Sequence, residues 1–411
     1  MVFRYLDRPR GGSSSSAFYD FSLGSLPAGV TLTRASAGYR YNSAGLLVSE
    51  TTNVARFQYD PATLAPRGLL IEDAATNITT YSEQFDQAAW NKAASTITAN
   101  AAVAPDGTTT MDKIVEDSTL AAHSISRNAT FTSGLTYTQQ VFAKAGERQY
   151  VLFSFTSNVF GGVGTQRAFF NLGAGTIVST TSLVTAYIQS IGGGIYRLAA
   201  SCLCTNINTQ PYSLSLSTDG TTTTYTGDGT SGVYVWGYQL TATDFASSYI
   251  QTTTAAATRA ADVALITNPA VLGDQCYIVK GRTPRKISGG AINIALQVDD
   301  GSSSNRRTLR YGTDARLHVI ASVAGVDQCD LDLGAVAADT DFAVAMRFAD
   351  NNFAASLNGG AIVTDLAGTN PLGLTTARVG RSATGSYWSS TIKTIETRRT
   401  ASDAELPLLS A

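Results

Sequence analysis

An all-β chain of tandem β-sandwiches is what this sequence predicts, on three observations. The first is the stretch TGDGTSGVYVWGYQL at residues 226–240. After its Gly-Asp-Gly turn, Val233, Val235, Gly237 and Gln239 alternate with Tyr234, Trp236, Tyr238 and Leu240. Period-two alternation of β-branched and aromatic residues is the mark of a strand. The second is composition: charged residues are 15% of the chain, against roughly 25% in an average soluble domain. Thr, Ser, Gly, Asn and Gln fill the gap and suit pleated sheets and turns, whereas long surface helices need Glu, Lys and Arg. The third is rhythm. Short strand-like runs follow one another through Gly- and Asn-rich turns at the spacing of a β-sandwich.

Along the chain, residues 1–16 read as a flexible anchoring arm. Arg4, Arg8 and Arg10 surround Pro9 and precede a Gly-Ser tract, a pattern that orders only on docking, through charged hydrogen bonds. Residues 17–76 (FYDFSLGSLPAG, VTLTRASAGYRYNSAGLLV, RFQYDPATLAPRGLLIEDAATN) read as a short β module. Its strands are too short for a core of their own, so it is expected to pack against another copy or a partner protein. Residues 77–258 hold longer strands, among them HSISRNATF, LTYTQQVFAKA, RQYVLFSFT and YSLSLSTD. The run QTTTAAATRAADV reads as a link, separating the domains near residues 254–261. Residues 259–411 form a second strand-rich block containing QCYIVKGR, RTLRYG and ARLHVIASV. One helix signal appears: Ser402 and Glu405 make a capping box before a short apolar run.

Several functions are excluded. The formal net charge of -2 supplies no basic field for a phosphate backbone, so nucleic acid is not expected. No apolar run is long enough for a spanning helix, and MVFRYLDRPRGGSSSS lacks the apolar stretch of a signal peptide; a soluble protein made in a cytoplasm is expected. Cys202 and Cys204 share one strand face and do not suit a mutual disulfide. With the isolated Cys276 and Cys329 they read as small apolar residues. His123 and His318 lie far apart, and GGVGTQR lacks the ending of a phosphate loop. Sugar hydrolysis needs two carboxylates about 5 or 6.5–9.5 Å apart. Glu72-Asp73 and Glu116-Asp117 are adjacent and diverge on a strand, while Asp299-Asp300 reads as a solvated turn. No catalytic residue is therefore assigned and no enzyme expected. Glu83, Asp86 and Asp228 have oxygens for a structural calcium, yet no dense acidic loop surrounds them; they read as turn residues, and no metal or cofactor is assigned.

The phrases YDFS, LTRASAGYRYNSAGLLV and ARFQYDPATLAPRGLLIEDAATN, followed by TYSEQFDQAAW, MDKIVED, GGIYRLAAS and GDGTSGVYVWGYQL, resemble minor virion proteins of tailed bacteriophages and gene transfer agents, of the tail-fibre and head-spike type. TRAADV fits the same group. The last block, with SLNGG, ARVGRS and WSSTIKTIETRRTASDAEL, is similar to laminin-G or concanavalin-A-like sandwiches. The resemblance implies a jelly-roll carbohydrate-binding-like domain followed by a laminin-G-like one. It further implies a virion location after synthesis in a bacterial cytoplasm. Its implied partners are capsid or tail proteins, further copies of the chain, and host surface polysaccharide. Ile195 departs from the group, which has an aromatic before the Tyr-Arg of Tyr196 and Arg197.

The aromatic row Tyr234, Trp236, Tyr238 suits either a platform for sugar rings or the inner wall of a sandwich. Large inward residues supply most of a sandwich's buried area, so the row is expected in the core, with Trp90 and Trp388. Tyr238, near the strand end, is expected to show its hydroxyl to solvent. Tyr387, Arg381 and Asn358 lie in loops expected to converge at one rim. These four are the candidate glycan contacts, weak singly and multiplied by copy number. A structural adaptor or decoration protein that binds no sugar is the alternative. A polysaccharide-degrading tail-spike fits less well, since the carboxylate pair and a long β-helix repeat are both missing.

Overall fold

The computed structural model describes residues 15–267, 275–285 and 292–411, with Gly273. The expected anchoring residues Arg4, Arg8 and Arg10 lie outside the described residues. The chain is all-β, built on antiparallel sheets, and divides into two compact units. One is built on residues 32–262 with Arg285, the other on residues 15–31, 263–284 and 292–411 as far as they are described.

The first unit contains the jelly-roll sandwich. One sheet runs Val184–Ser190, Ile195–Leu203, Thr136–Ala145, Gly232–Thr241, Met111–Glu116, Ser95–Ala102 in spatial order. The facing sheet runs Thr176–Thr180, Gln166–Asn171, Tyr150–Phe155, Asn208–Ser217, Ser124–Phe131, Asn91–Ala93. Phe153, Phe170, Leu198, Leu214 and Val235 meet between them with no exposed surface. Cys202 and Cys204 do point to the same face, both into this core. Trp90 is a core plug, 5.2 Å from the Tyr238 ring.

The aromatic row does not hold one face. Gly237 has φ 65°, and the pairing slips there from Phe142↔Trp236 to Gln140↔Gln239. This β-bulge, which a glycine at positive φ accommodates, exchanges the faces of the strand. Val233 and Val235 before it, and Tyr238 and Leu240 after it, all enter the main core. Trp236 lies on the opposite face in a second core. Tyr238 is fully buried and its hydroxyl donates to Gln139 Oε1. The expectation that Tyr238 reaches solvent is thereby corrected: the bulge turns it inward.

The segment 17–76 is not a module by itself. Ser15–Asp20 pairs with Ser390–Arg398 in the second unit. The hairpin of Gly38–Tyr41 and Leu47–Glu50 belongs to the first, where Tyr41 and Leu47 pack on Phe142, Ile195 and Trp236. Strands this short bury an apolar face only by joining a larger sheet or core. Phe21, Leu47, Leu69 and Ile71 are buried within the chain, so most of the surface that would have called for a second copy is already covered. The expected link near residues 254–261 is likewise ordered, since Ala257–Arg259 pairs with Ala75–Asn77.

A buried charge cluster closes this unit. Arg34, Arg56, Glu72, Arg259 and Asp262 are each at most 3% exposed. Arg56 donates to Glu72 at 2.7 Å and also to Asp262, which Arg34 reaches at 3.0 Å. Arg259 stands 3.7 Å from Glu72 and 3.9 Å from Asp262. Backbone completes the set: Glu72 N donates to Asp262 at 3.0 Å, Ser248 N to Glu72 at 2.7 Å, and Arg259 to Asp73 O at 2.7 Å.

The second unit is another two-sheet sandwich. One sheet runs Val263–Ile266, Thr376–Val379, Asn293–Asp299, Arg306–Tyr311, Arg316–Val323, Val326–Ala335; the other includes Val363–Asp365, Phe353–Leu357, Asp341–Arg347, Cys276–Arg282 and Ser390–Arg398. Arg307 bridges them, donating to the Tyr277 hydroxyl at 2.9 Å. Trp388 fills the interior as expected, fully buried, its indole N–H donating to Arg282 O at 3.0 Å. Glu405 receives the Ser402 N–H at 2.7 Å and opens the helix Glu405–Leu409.

Two consequences are measurable. A Cβ at Gly237 would stand 3.0 Å from Phe142 and 3.1 Å from Tyr249, at a φ that L-residues avoid. Gly237→Ala should therefore cost about 1–3 kcal/mol, read as a fall in the denaturant midpoint.

Asp262→Asn leaves buried guanidinium charge uncompensated and should cost at least about 3 kcal/mol, by the same assay. Burial alone would raise the Glu72 pKa; Arg259, Arg56 and the Ser248 hydrogen bonds overcome it and hold the carboxyl well below the usual range. A depressed folded pKa stabilises above the unfolded value of about 4.3 and loses that contribution as pH falls toward the folded one. Stability should thus drop below about pH 5, and less steeply in Glu72→Gln, which starts lower.

Candidate functional site

Four sheet faces point away from the two sandwich interiors with different cover. On the jelly roll, the outer face of the six-stranded sheet bearing Trp236 lies under the hairpin of Tyr41 and Leu47. The outer face of its partner sheet carries short hydroxyl pairs such as Thr130 and Thr209, 2.7 Å apart. In the second unit, the helix Glu405–Leu409 lays Leu406 and Leu409 over Cys276, Ile278, Ala345 and Ala354. The opposite sheet of that unit holds an open groove of about 150 Å³.

The groove follows from alternation. Along Arg306–Tyr311, Arg307, Leu309 and Tyr311 point inward and are buried. Arg306, Thr308 and Arg310 consequently face out, and they line the groove beside Gln297. Ile294 and Ile320 add apolar surface, and a loop brings Ser382, Thr384 and Ser386 to the wall. No carboxylate is among the lining side chains. Thr308 is 3% exposed and its hydroxyl has no hydrogen-bond partner; Arg310 Nε is also buried and unpartnered. Buried polar atoms are normally paired, so an unpaired one asks for an explanation.

A row of ion pairs borders the groove on the next strands. Arg310 reaches Asp330 at 3.1 Å, Arg306 reaches Asp327 at 3.4 Å and Arg316 reaches Asp332 at 2.7 Å. His318 lies between Asp330 at 2.7 Å and Asp314 at 3.1 Å. The sequence shows no Asp-rich motif beside either histidine; strand pairing supplies it. Hydrogen bonding from Arg316 holds the Asp332 carboxyl below the usual carboxylate range. A general acid needs the opposite shift. Asp299, expected in a solvated turn, is instead fully buried and bound by Arg378 at 2.7 Å. The strand runs one residue further than its Asp-Asp-Gly text suggests.

Arg381 and Tyr387 do come together, as the stem of the groove's loop. They form an isolated antiparallel bridge, with the guanidinium 5.4 Å from the ring centre. Ser386 N donates to Ser382 Oγ at 2.9 Å, and Asn293 Nδ2 donates to Tyr387 O at 2.7 Å. Their place is to hold Ser382, Thr384 and Ser386 in position. Asn358 belongs elsewhere, in the exposed turn after Phe353–Leu357 on the other sheet, where its Oδ1 accepts from Ala343 N at 2.8 Å. Tyr238 lies inside the jelly roll. Arg306, Thr308 and Arg310 were missed, although their i, i+2, i+4 spacing in RRTLRY is a legible signal of one polar strand face.

The turn residues are occupied locally. Asp228 accepts from Thr230 N at 2.8 Å and Ser231 N at 2.7 Å, and Glu83 accepts the Tyr249 hydroxyl at 2.8 Å. Among the described residues, no group of three or more His, Cys, Asp or Glu is placed to hold a metal ion.

No protein-family model matches the chain, and no curated protein does. Among solved structures, CBM40 of the Ruminococcus gnavus IT-sialidase bound to α2,6-sialyllactose aligns with 34% of this chain and 86% of its own, at 17% identity and TM-score 0.29. The same module bound to α2,3-sialyllactose covers 34% and 85%, at 17% identity and TM-score 0.30. The leech intramolecular trans-sialidase aligns over 34% of this chain and 23% of its own, at 15% identity and TM-score 0.29. No residue role is carried over from these likenesses.

The orphaned hydroxyl yields a stability test. Thr308→Val keeps the shape and removes a buried hydroxyl that has no partner within the chain. The melting temperature of the full chain should stay level or rise, by up to about 1 kcal/mol in stability. A clear fall would mean that the hydroxyl is already satisfied.

Proposed function

We propose that this chain is a non-enzymatic structural protein of a phage-type virion that contacts host surface polysaccharide through the groove of its second sandwich. The observation that carries the reading is that groove: open, polar, floored by isoleucines, and holding the buried, unpartnered hydroxyl of Thr308. Concave sites with a few convergent polar groups are where small ligands bind. A volume of about 150 Å³ suits one sugar ring better than an oligosaccharide, since drug-sized pockets start near ~300 Å³.

The virion context is supported by the ordered succession of phrases that resemble tail-fibre and head-spike proteins. In this reading the chain is made in a bacterial cytoplasm, and its arm, with Arg4, Arg8 and Arg10, docks on capsid or tail. The jelly roll acts as a spacer, and the hairpin covers the outer face of its sheet bearing Trp236. Engagement of Asp327, Asp330 and Asp332 by cations favours binding over hydrolysis. Single-site contact is weak, and copies on one particle supply avidity.

The test compares wild type with Thr384→Trp, which fills the groove from an exposed loop position. Full-length protein is passed over immobilised surface polysaccharide of the host, and particles assembled with each version are scored for adsorption. Wild type should bind without shortening the polysaccharide, and the variant should bind at least tenfold more weakly while still entering particles. If both versions adsorb alike and neither binds polysaccharide, the chain is a structural adaptor instead.

A further inference from the structure

Resting on the glycan-contact reading, we infer that the groove takes a carboxylate-bearing sugar, its acid group held by Arg310 and Thr308. The lining presents two guanidinium groups, Arg306 and Arg310, and no carboxylate. Their aspartate partners stand outside the lining on Val326–Ala335, with side chains 46% and 42% exposed. Exposed ion pairs of this kind are worth under about 1 kcal/mol, so a guanidinium gives up such a partner at little cost.

Two buried polar atoms of the groove have no partner within the chain. Arg310 spends an Nη on Asp330 at 3.1 Å, while its buried Nε has no partner. The neighbouring Thr308 hydroxyl, buried on the same strand face, has none either. A guanidinium edge beside a hydroxyl is a donor set that matches a planar carboxylate. A neutral sugar could offer Arg310 only a hydroxyl oxygen, whereas a carboxylate makes the shorter, roughly twice as strong, charge-assisted bond. The rest of the lining fits the rest of such a molecule. Ser382, Thr384, Ser386 and Gln297 offer donors and acceptors for ring hydroxyls, and Ile294 and Ile320 meet its apolar face.

The test uses the full chain with two probes: oligogalacturonate, and the same oligosaccharide after its carboxyls are reduced to primary alcohols. Affinities are measured by calorimetry for wild type, Arg310→Gln and Thr308→Val, each checked by thermal melting. Wild type should bind the acid form at least tenfold more tightly than the reduced form, and added salt should narrow the difference. Arg310→Gln should lose about tenfold for the acid form and little for the reduced one. Thr308→Val should lose several-fold on the acid form while melting no lower than wild type. Equal binding of the two probes, or full affinity in folded Arg310→Gln, overturns the inference. So does failure of oligogalacturonate to bind at millimolar concentration. In each case the glycan-contact reading stands or falls separately, on the host-polysaccharide measurement with Thr384→Trp.

Discussion

Five buried charges hold the first unit in register. Arg34, Arg56 and Arg259 surround Glu72 and Asp262, and these five come from four separate stretches of chain. The stretches are the segment at Arg34, Arg56 just before the strand Phe57–Tyr59, Glu72 just after the strand Pro66–Ile71, and the run from Ala257–Arg259 to Asp262. Taking such charges out of water costs several kcal/mol per ion, and good geometry only offsets it. What the cluster supplies is selectivity: any slip of one stretch strands a guanidinium or a carboxylate in a dry interior. Three cations against two carboxylates are balanced by backbone carbonyls, since Arg34 also donates to Ser36 O and Thr51 O, both at 2.9 Å.

That constraint reaches the surface through the hairpin of Gly38–Tyr41 and Leu47–Glu50. Arg56 donates to Tyr39 O at 3.1 Å and Arg34 to Glu50 O at 3.4 Å. The hairpin is thereby pinned over Trp236 and Phe142. A face that would otherwise expose aromatic rings becomes a second, smaller core. The Gly237 bulge makes this arrangement work: large residues lie on both faces of one strand, and one extra residue lets each half present its own set to the jelly-roll interior.

The second unit resolves its faces differently. The helix Glu405–Leu409 closes one outer face with leucines, and the groove face stays polar with a border of ion pairs. Thr308 Oγ1 and Arg310 Nε are buried there without a partner in the chain. Arg381 and Tyr387 border the groove without lining it. They are an aromatic and a cation in a loop, which suggested contact, and they form the stem that places the neighbouring serines and threonine.

Local chemistry was enough to read the class of fold, the strands, the core places of Trp90 and Trp388, the shared face of Cys202 and Cys204, and the closure of Glu405 onto Ser402. Each depends on period, size or a spacing of a few residues, and these are written in neighbouring letters. Tertiary structure alone decided the rest. A single positive φ at Gly237 put Tyr238 on the opposite face from Trp236 and buried its hydroxyl, because a bulge shifts every later side chain by one half-period. Pairing across strands put Asp330 beside His318, and Arg378 beside Asp299. The charge cluster joins residues up to 228 positions apart, and the groove needs the strand Arg306–Tyr311 and the loop after Val379 side by side. Such contacts are set by which strands become neighbours, a choice made by the whole chain competing for one buried interior.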